Sequence, residues 1–517
     1  MNRCGVCLVW VFLALLLGSV SLLWADKAEA NLDLHYQLTF AEAGGPLAVE
    51  LTITNLAQDS LDLFVTSFRE NNYGNYFSLV SGITAAGADG TPLSFNVVQN
   101  TSPSAAADVG HQDVTVDRVV IDVTGQDTVT ISYQLPSMSE IYPHLMESEG
   151  YWNTPPPNTY YATYEYVLLR PSRASAAING AWISHSLPDN WILATTYPQE
   201  NGVYNTDRLS CMYSDNSPPY WNHNETMFIC GHSQEVSVDR RSYQGIEYVL
   251  VGTSETSMSE TSKQAYGAMT AYYSEVLGGL PINRRMQVEL IPFNYWPSPH
   301  LQSHPLFGEW MSMGELNYKA WQWGPDPGPG GINHSVYYTG VHRLGRAWIG
   351  DMLQWLKSPN SLPYIILIDE GLINYFENTA MGRYWGDEGP AESRFAGMYE
   401  YYLNNWLGTA YDQPLGRPMN QVAVWRHTFE DFKATLVVYF LNKKILENSG
   451  GAKSIADVSR LFYQRYGLRQ SGDTYTLNDF VQTVNDATGS DYSDFFNRYV
   501  FGTEALPLDQ YFSSPAD

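Results

Sequence analysis

Two stretches carry the fold assignment: Val341-His-Arg-Leu-Gly-Arg-Ala-Trp-Ile-Gly350 and Leu367-Ile-Asp-Glu-Gly-Leu-Ile-Asn-Tyr-Phe376. Both read as helices. On a helix, positions four apart lie one turn apart on the same face, so His342 and Arg346 form one pair, with Arg343 beside them. Glu370 stands in the second stretch, between Asp369 and Gly371.

Outward from these helices the chain divides by periodicity. From Leu32 to about Met138 short runs alternate apolar and polar residues, as in Leu47-Ala-Val-Glu-Leu-Thr-Ile-Thr54 and Val129-Thr-Ile-Ser-Tyr133. These predict half-buried strands of an antiparallel sandwich. A second strand-rich stretch runs from about Tyr160 to Val251 and includes Glu247-Tyr-Val-Leu-Val251. Helical periodicity starts only at Ser259–Leu280, which ends at Gly278-Gly279 and precedes a strand at Met286–Ile291. An aromatic and proline-rich loop follows, with Trp296, Trp310, Trp321 and Trp323. It is read either as a binding surface or as cover for a core. Near the C-terminus a helix over Phe429–Asn448 stops at Gly450-Gly451, and Ser454-Ile-Ala-Asp457 and Thr476-Leu-Asn-Asp479 have capping-box spacing. Strands first and helices later predict a multidomain α+β protein. Its segments are 1–30, a β-sandwich-like domain over 31–160, a second β-rich region over 161–255, and an α-rich domain over 256–517.

Composition limits the function. The 517 residues include 28 Lys and Arg against 54 Asp and Glu, a net charge of −26 that repels nucleic-acid backbones and anionic surfaces. With 44% hydrophobic and only 16% charged residues the chain is not intrinsically disordered. Arg3, an apolar run from Val6 to Trp24 and the small-x-small Ala28-Glu-Ala30 predict a signal peptide cleaved before Asn31. The alternative is an uncleaved anchor, since the run is long enough to span a bilayer. Cleavage predicts a secreted or periplasmic protein with no membrane span. The remaining cysteines, Cys211 and Cys230, are expected to form one disulfide in an oxidising compartment; two free buried thiols are the alternative. Two sulfurs so spaced do not make a zinc-thiolate site.

The two opening helices resemble the gluzincin metallopeptidases, in which one helix carries HExxH and a later one a Glu before Gly. The resemblance extends to the glycyl aminopeptidase family. Gly330-Gly-Ile-Asn-His-Ser335 is similar to its GGLEHRNS strand, and Asp369-Glu-Gly-Leu372 with Tyr375-Phe376 is similar to its SEGFTSYY. Phe462–Tyr466, Asp494–Val500 and Gly502-Thr-Glu504 resemble its closing helices. The match covers about residues 256 to 512 and implies a thermolysin-like, mostly α-helical domain after the β region. The β region matches only in position and type.

In the family two histidines four apart bind zinc, the intervening Glu is the general base, and the later Glu completes the ligand set. Here His342 matches the first histidine and Glu370 the later Glu. Arg343 stands at the general base and Arg346 at the second histidine. Asn333 replaces the Glu that meets the substrate amine in related aminopeptidases, and His334 follows it. Asp431 falls near the tyrosine that stabilises the tetrahedral intermediate. A guanidinium offers donors only and repels a cation, so Arg346 does not coordinate one. Loss of the general base alone removes roughly two to four orders of magnitude.

The resemblance therefore implies a peptidase fold without a working zinc site, a pseudoenzyme with no cofactor expected and zinc only if the site is rebuilt. Arg346 would then pair with Glu370; the alternative has both arginines in solvent. His334, His342 and Glu370 could instead form an atypical metal site. Asp369 and Glu370, being adjacent on a helix, do not form an acid/base dyad. The expected role is binding of a peptide, protein or carboxylate ligand, with Arg343 and Arg346 as anion donors. The competing readings are an active metallopeptidase with a rebuilt site, another hydrolase using the cleft, and a structural envelope protein.

Overall fold

A computed structural model describes residues 31–64, 80–101, 116–137, 140, 158–163, 168–171, 177–195, 199–205, 227–253, 260–281, 285–290, 310–312, 344–345, 348, 366–385, 389–409, 412–415, 426–467 and 475–512. The alternating runs form strands. In β1 (Asn31–Phe40) the residues Leu32, Leu34, Tyr36, Leu38 and Phe40 all face inward, as period-two alternation requires. The next six strands are β2 (Leu47–Thr54), β3 (Ser60–Phe64), β4 (Ser81–Gly87), β5 (Phe95–Thr101), β6 (Val116–Asp122) and β7 (Thr128–Leu135). They are followed by β8 (Thr159–Thr163), β9 (Arg170–Pro171), β10 (Ala177–Ser186), β11 (Trp191–Thr195), β12 (Gln199–Glu200), β13 (Val203–Asn205) and β14 (Met227–His232).

One sheet runs β12-β13-β10-β1-β2-β7-β4. Its register stacks inward side chains in rows: Tyr36 opposes Leu51, and Leu51 opposes Ile131. Two smaller sheets, β5-β6-β3-β9 and β11-β14-β8, share its core through Leu61, Leu63, Val119, Ile121, Tyr160 and Phe228. Two buried tyrosines have their hydroxyls satisfied at one backbone unit. Tyr36 donates to the Leu169 carbonyl (2.9 Å) and Tyr133 accepts from the Leu169 N–H (2.9 Å). The seven-stranded sheet draws on both β-rich segments, because β1 pairs in parallel with β10.

The expected Cys211–Cys230 disulfide is not present: Cys230 is a free thiol, fully buried on β14. Strand alternation turns it inward beside Tyr160 and Phe228, where it packs like a small apolar residue, and burial pushes the pKa of its thiol up. Cys211 lies outside the described residues.

A mixed sheet begins the second body: β15 (Val236–Tyr243), β16 (Ile246–Thr253), β17 (Arg285–Leu290) and β18 (Trp310–Ser312), in that order. Trp310, expected in a loop, is the first residue of β18, while Trp296, Trp321 and Trp323 lie outside the described residues. β16 and β17 are parallel and joined by helix α1 (Glu260–Leu277), and β17 is the strand expected at Met286–Ile291. α1 stops where expected. Gly278 has φ +78°, the left-handed region in which glycine carries no Cβ penalty.

β16 is buried on both faces. Ile246, Tyr248 and Leu250 enter the helical core, whereas Val249 and Val251 enter the sandwich core. This strand is the wall between the two cores.

Six further helices follow among the described residues: α2 (Ile373–Trp385), α3 (Gly389–Asn405), α4 (Arg426–Ser449), α5 (Ile455–Phe462), α6 (Leu477–Thr488) and α7 (Ser493–Tyr499). Both expected capping boxes are formed, Ser454 with Asp457 on α5 and Thr476 with Asp479 on α6. Among the described residues no helix is long and apolar enough to cross a membrane.

Candidate functional site

Glu370 sits on a π-helical turn, Ile366–Leu372, that leads directly into α2. The sequence predicts an ordinary helix there. A π turn adds one residue per turn and is common at functional sites. Leu367, Ile368, Leu372 and Ile373 anchor it, each 1% exposed or less. Gly371 brings it against α4: a Cβ there would lie 3.0 Å from the Ala434 carbonyl oxygen and 3.2 Å from the Ala434 Cβ. A side chain there would push the Ala434 backbone back by a few tenths of an ångström, so glycine suits the approach.

The surrounding helices are fixed by specific bonds. Arg383 on α2 donates to both carboxylate oxygens of Glu275 on α1, at 2.9 and 2.7 Å. The Tyr272 and Thr379 hydroxyls bond across the same pair of helices. Asn442 on α4 donates to the Tyr375 hydroxyl (2.8 Å) and accepts the Ile455 N–H that opens α5 (2.8 Å).

From the first opening stretch the structure describes Leu344, Gly345 and Trp348, all helical as expected. Leu344 and Trp348, one turn apart, are fully buried. Trp348 stacks on Tyr273 of α1 at 5.5 Å and donates its indole N–H to the Gly279 carbonyl at 2.7 Å. A Cβ on Gly345 would lie 2.7 Å from the Tyr273 hydroxyl. This stretch therefore packs closely on α1.

A buried polar network lies beside the π turn. Lys433, on α4 next to Ala434, is fully buried, and its ammonium donates to Asp412 Oδ1 (2.6 Å) and the Gln413 carbonyl (2.8 Å). The Tyr402 hydroxyl donates to both Asp412 oxygens at 3.2 Å, and the Gly408 N–H reaches the same carboxylate. Burial holds the Lys433 ammonium below its ordinary pKa, with Asp412 pulling the other way. Burial, and then the Asp412 carboxylate, push the Tyr402 hydroxyl up. Glu377, 3% exposed on α2, faces Arg394 of α3 at 3.4 Å.

Of the sequence-derived site residues, the structure places the backbone of Glu370 on the π turn and that of Asp431 on α4, two residues before Lys433. The side chains of both lie outside what is described. Asn333, His334, His342, Arg343 and Arg346 lie outside the described residues altogether. Among the described residues no group of three or more His, Cys, Asp and Glu side chains gathers as a metal site. The Lys433–Asp412–Tyr402 network was not anticipated. Its one sequence signal is a lysine beside the largely apolar stretch Ala434–Leu441.

No family model matches the chain, and no curated protein sequence matches it. Solved structures do. An aminopeptidase N family protein from Idiomarina loihiensis superposes with TM-score 0.63 at 13% identity, covering 92% of this chain and 77% of that one. An M1 zinc metallopeptidase from Deinococcus radiodurans gives TM-score 0.50 at 13% identity, over 94% of this chain and 96% of that one. A variant of the latter, bound to a Tyr-Ser-Ala substrate, gives 0.50 at 14% identity with the same coverage. At such identities the likeness is one of fold. The chain has a multidomain α+β fold of the kind seen in M1 aminopeptidases.

Proposed function

We propose that this chain is an exported peptidase-fold protein that binds a peptide, protein or carboxylate ligand in the inherited cleft and does not act as a zinc peptidase. One observation carries the reading: a chain with the M1-type fold has Arg343 and Arg346 in its HExxH-like frame. The donor set does not fit a catalytic zinc centre. His342 and Glu370 supply two ligands where three are usual, and Arg346 brings a fixed positive charge to the third position. The glycyl aminopeptidase motifs quoted above support the same cleft in a degenerate form.

In this reading Arg346 bonds to Glu370, which leaves no uncompensated carboxylate in the cleft. Arg343 and the remaining Arg346 donors meet the ligand's carboxylate. A crystal structure with the Arg346 guanidinium more than about 6 Å from the Glu370 carboxylate would remove the pairing.

The test uses the mature chain and the tripeptide Tyr-Ser-Ala. Isothermal titration is expected to show binding that weakens about tenfold or more in Arg343→Ala or Arg346→Ala, the loss of a charge-assisted bond. The tripeptide amide, which lacks the carboxylate, is expected to weaken similarly. Affinity unchanged in both variants sinks the binding site. Stoichiometric zinc in the purified protein, lost on His342→Ala, would instead establish a rebuilt metal centre.

A further inference from the structure

The Lys433–Asp412 pair lies at an unusual point in the fold. Lys433 and Ala434 are consecutive on α4 and so point about 100° apart. Lys433 faces the turn that follows α3, where it holds Asp412 and the Gln413 carbonyl at 2.6 and 2.8 Å. Ala434 presents its carbonyl to Gly371, in a contact so close that a Cβ on Gly371 would lie 3.0 Å from the oxygen. α4 is thus gripped on one side by hydrogen bonds of defined length and on the other by the turn that carries Glu370.

A buried ion pair is a poor stabiliser, because both charges lose their hydration and well-packed apolar residues often do as well. Its hydrogen bonds do fix a geometry, which apolar contacts fix less sharply. Asp412 is in turn oriented by the Tyr402 hydroxyl and the Gly408 N–H, so Tyr402 and Gly408 are linked through Asp412 to one point on α4.

We propose that the buried Lys433–Asp412 pair is a positioning device for the π turn: it sets the axial position of α4, and through Ala434 and Gly371 the placement of Glu370. Lys433 is a positioning residue in this scheme and touches no ligand. The functional consequence rests on the cleft-binding reading above, whereas the mechanical coupling does not.

Two variants of the mature chain test it. Lys433→Met/Asp412→Leu replaces the pair by apolar residues of similar size, and Tyr402→Phe removes only the hydroxyl that orients Asp412. Amide hydrogen exchange is read at residues 366–372 and, as a control, at 477–488 on α6. The double variant leaves the Tyr402 hydroxyl and the Gly408 N–H without their carboxylate and is expected to melt below the parent, and exchange at 366–372 is expected to rise at least tenfold more than any rise at 477–488. Tyr402→Phe is expected to show a smaller rise, of about two- to threefold, at 366–372. Tyr-Ser-Ala affinity is expected to fall about tenfold in the double variant.

Unchanged exchange at 366–372 in both variants would overturn the proposal and leave the pair a local packing feature. If the double variant does not fold, unchanged exchange in Tyr402→Phe overturns it alone. If the tripeptide fails to bind the parent protein, the binding reading falls, and the exchange arm still decides the coupling.

Discussion

At the residue scale, the informative positions are those where a side chain would not fit or where a charge sits in the core. Gly371 is the first kind. Gly371→Ala places a methyl 3.0 Å from the Ala434 carbonyl, a backbone atom that does not rotate away. The expected cost is about 1–3 kcal/mol, the range for overpacking a filled site. Gly397 on α3 is the control, since a Cβ there meets nothing within 4 Å. Gly397→Ala is expected to raise stability by up to about 1 kcal/mol through helix propensity. Urea midpoints of the two variants decide it: equal shifts would deny the close contact. The sequence singles out Glu370 and Gly371 through a motif resemblance, but not the approach of Gly371 to Ala434. It does not single out Lys433, since a lone lysine at the edge of an apolar run is ordinarily a solvated one. Cys230 shows the opposite limit. Counting cysteines suggested a partner, but the alternation of β14 had already turned that side chain into the core.

At the element scale, most helices and strands followed from period and punctuation. α1, both capping boxes and the β1, β2 and β7 runs needed little beyond the sequence. The π turn was hidden, because over seven residues its apolar spacing hardly differs from that of an α-helix. What joins elements was hidden too. Asp239 on β15 accepts from Arg241 and from Lys263 on α1 (2.8 Å), and Arg241 reaches Glu260 at the start of α1 (3.0 Å). The Arg241 and then Lys263 bonds hold the Asp239 carboxyl down at about 2, against an ordinary 3.8. A depressed carboxylate contributes stability that is fully present above about pH 4 and lost as pH falls through about 2. The group is about a third exposed, so solvent screening limits the contribution to at most about 1 kcal/mol. Asp239→Asn is expected to melt lower than the parent at pH 6, with the gap closing as pH falls from 4 to 2. Melting curves across that range check it, and a gap that persists at pH 2 would assign the effect to packing.

At the scale of the whole molecule, the change from strands to helices was legible, whereas the pairing of distant strands was not. Alternation identifies a strand's buried face but does not name its neighbour, so β1 beside β10 and β16 beside β17 emerge only in the fold. The consequence is mechanical. β16 contributes Tyr248 and Leu250 to the helical core and Val249 and Val251 to the sandwich core, so neither body is complete without the same eight-residue strand. Val249→Ala removes two buried methyl groups from the sandwich side only, at a cost of roughly 2 kcal/mol. If β16 couples the cores, the helical body is expected to unfold at the same lowered temperature as the sandwich, though none of its own contacts is altered. Calorimetry gives one transition in that case, and exchange at 477–488 accelerates in step with exchange at 47–54. Independent bodies would give two transitions, with only the sandwich transition moved. A single transition would mean that a ligand in the α-rich body also stabilises the sandwich, since binding to one part of a cooperative unit raises the stability of all of it.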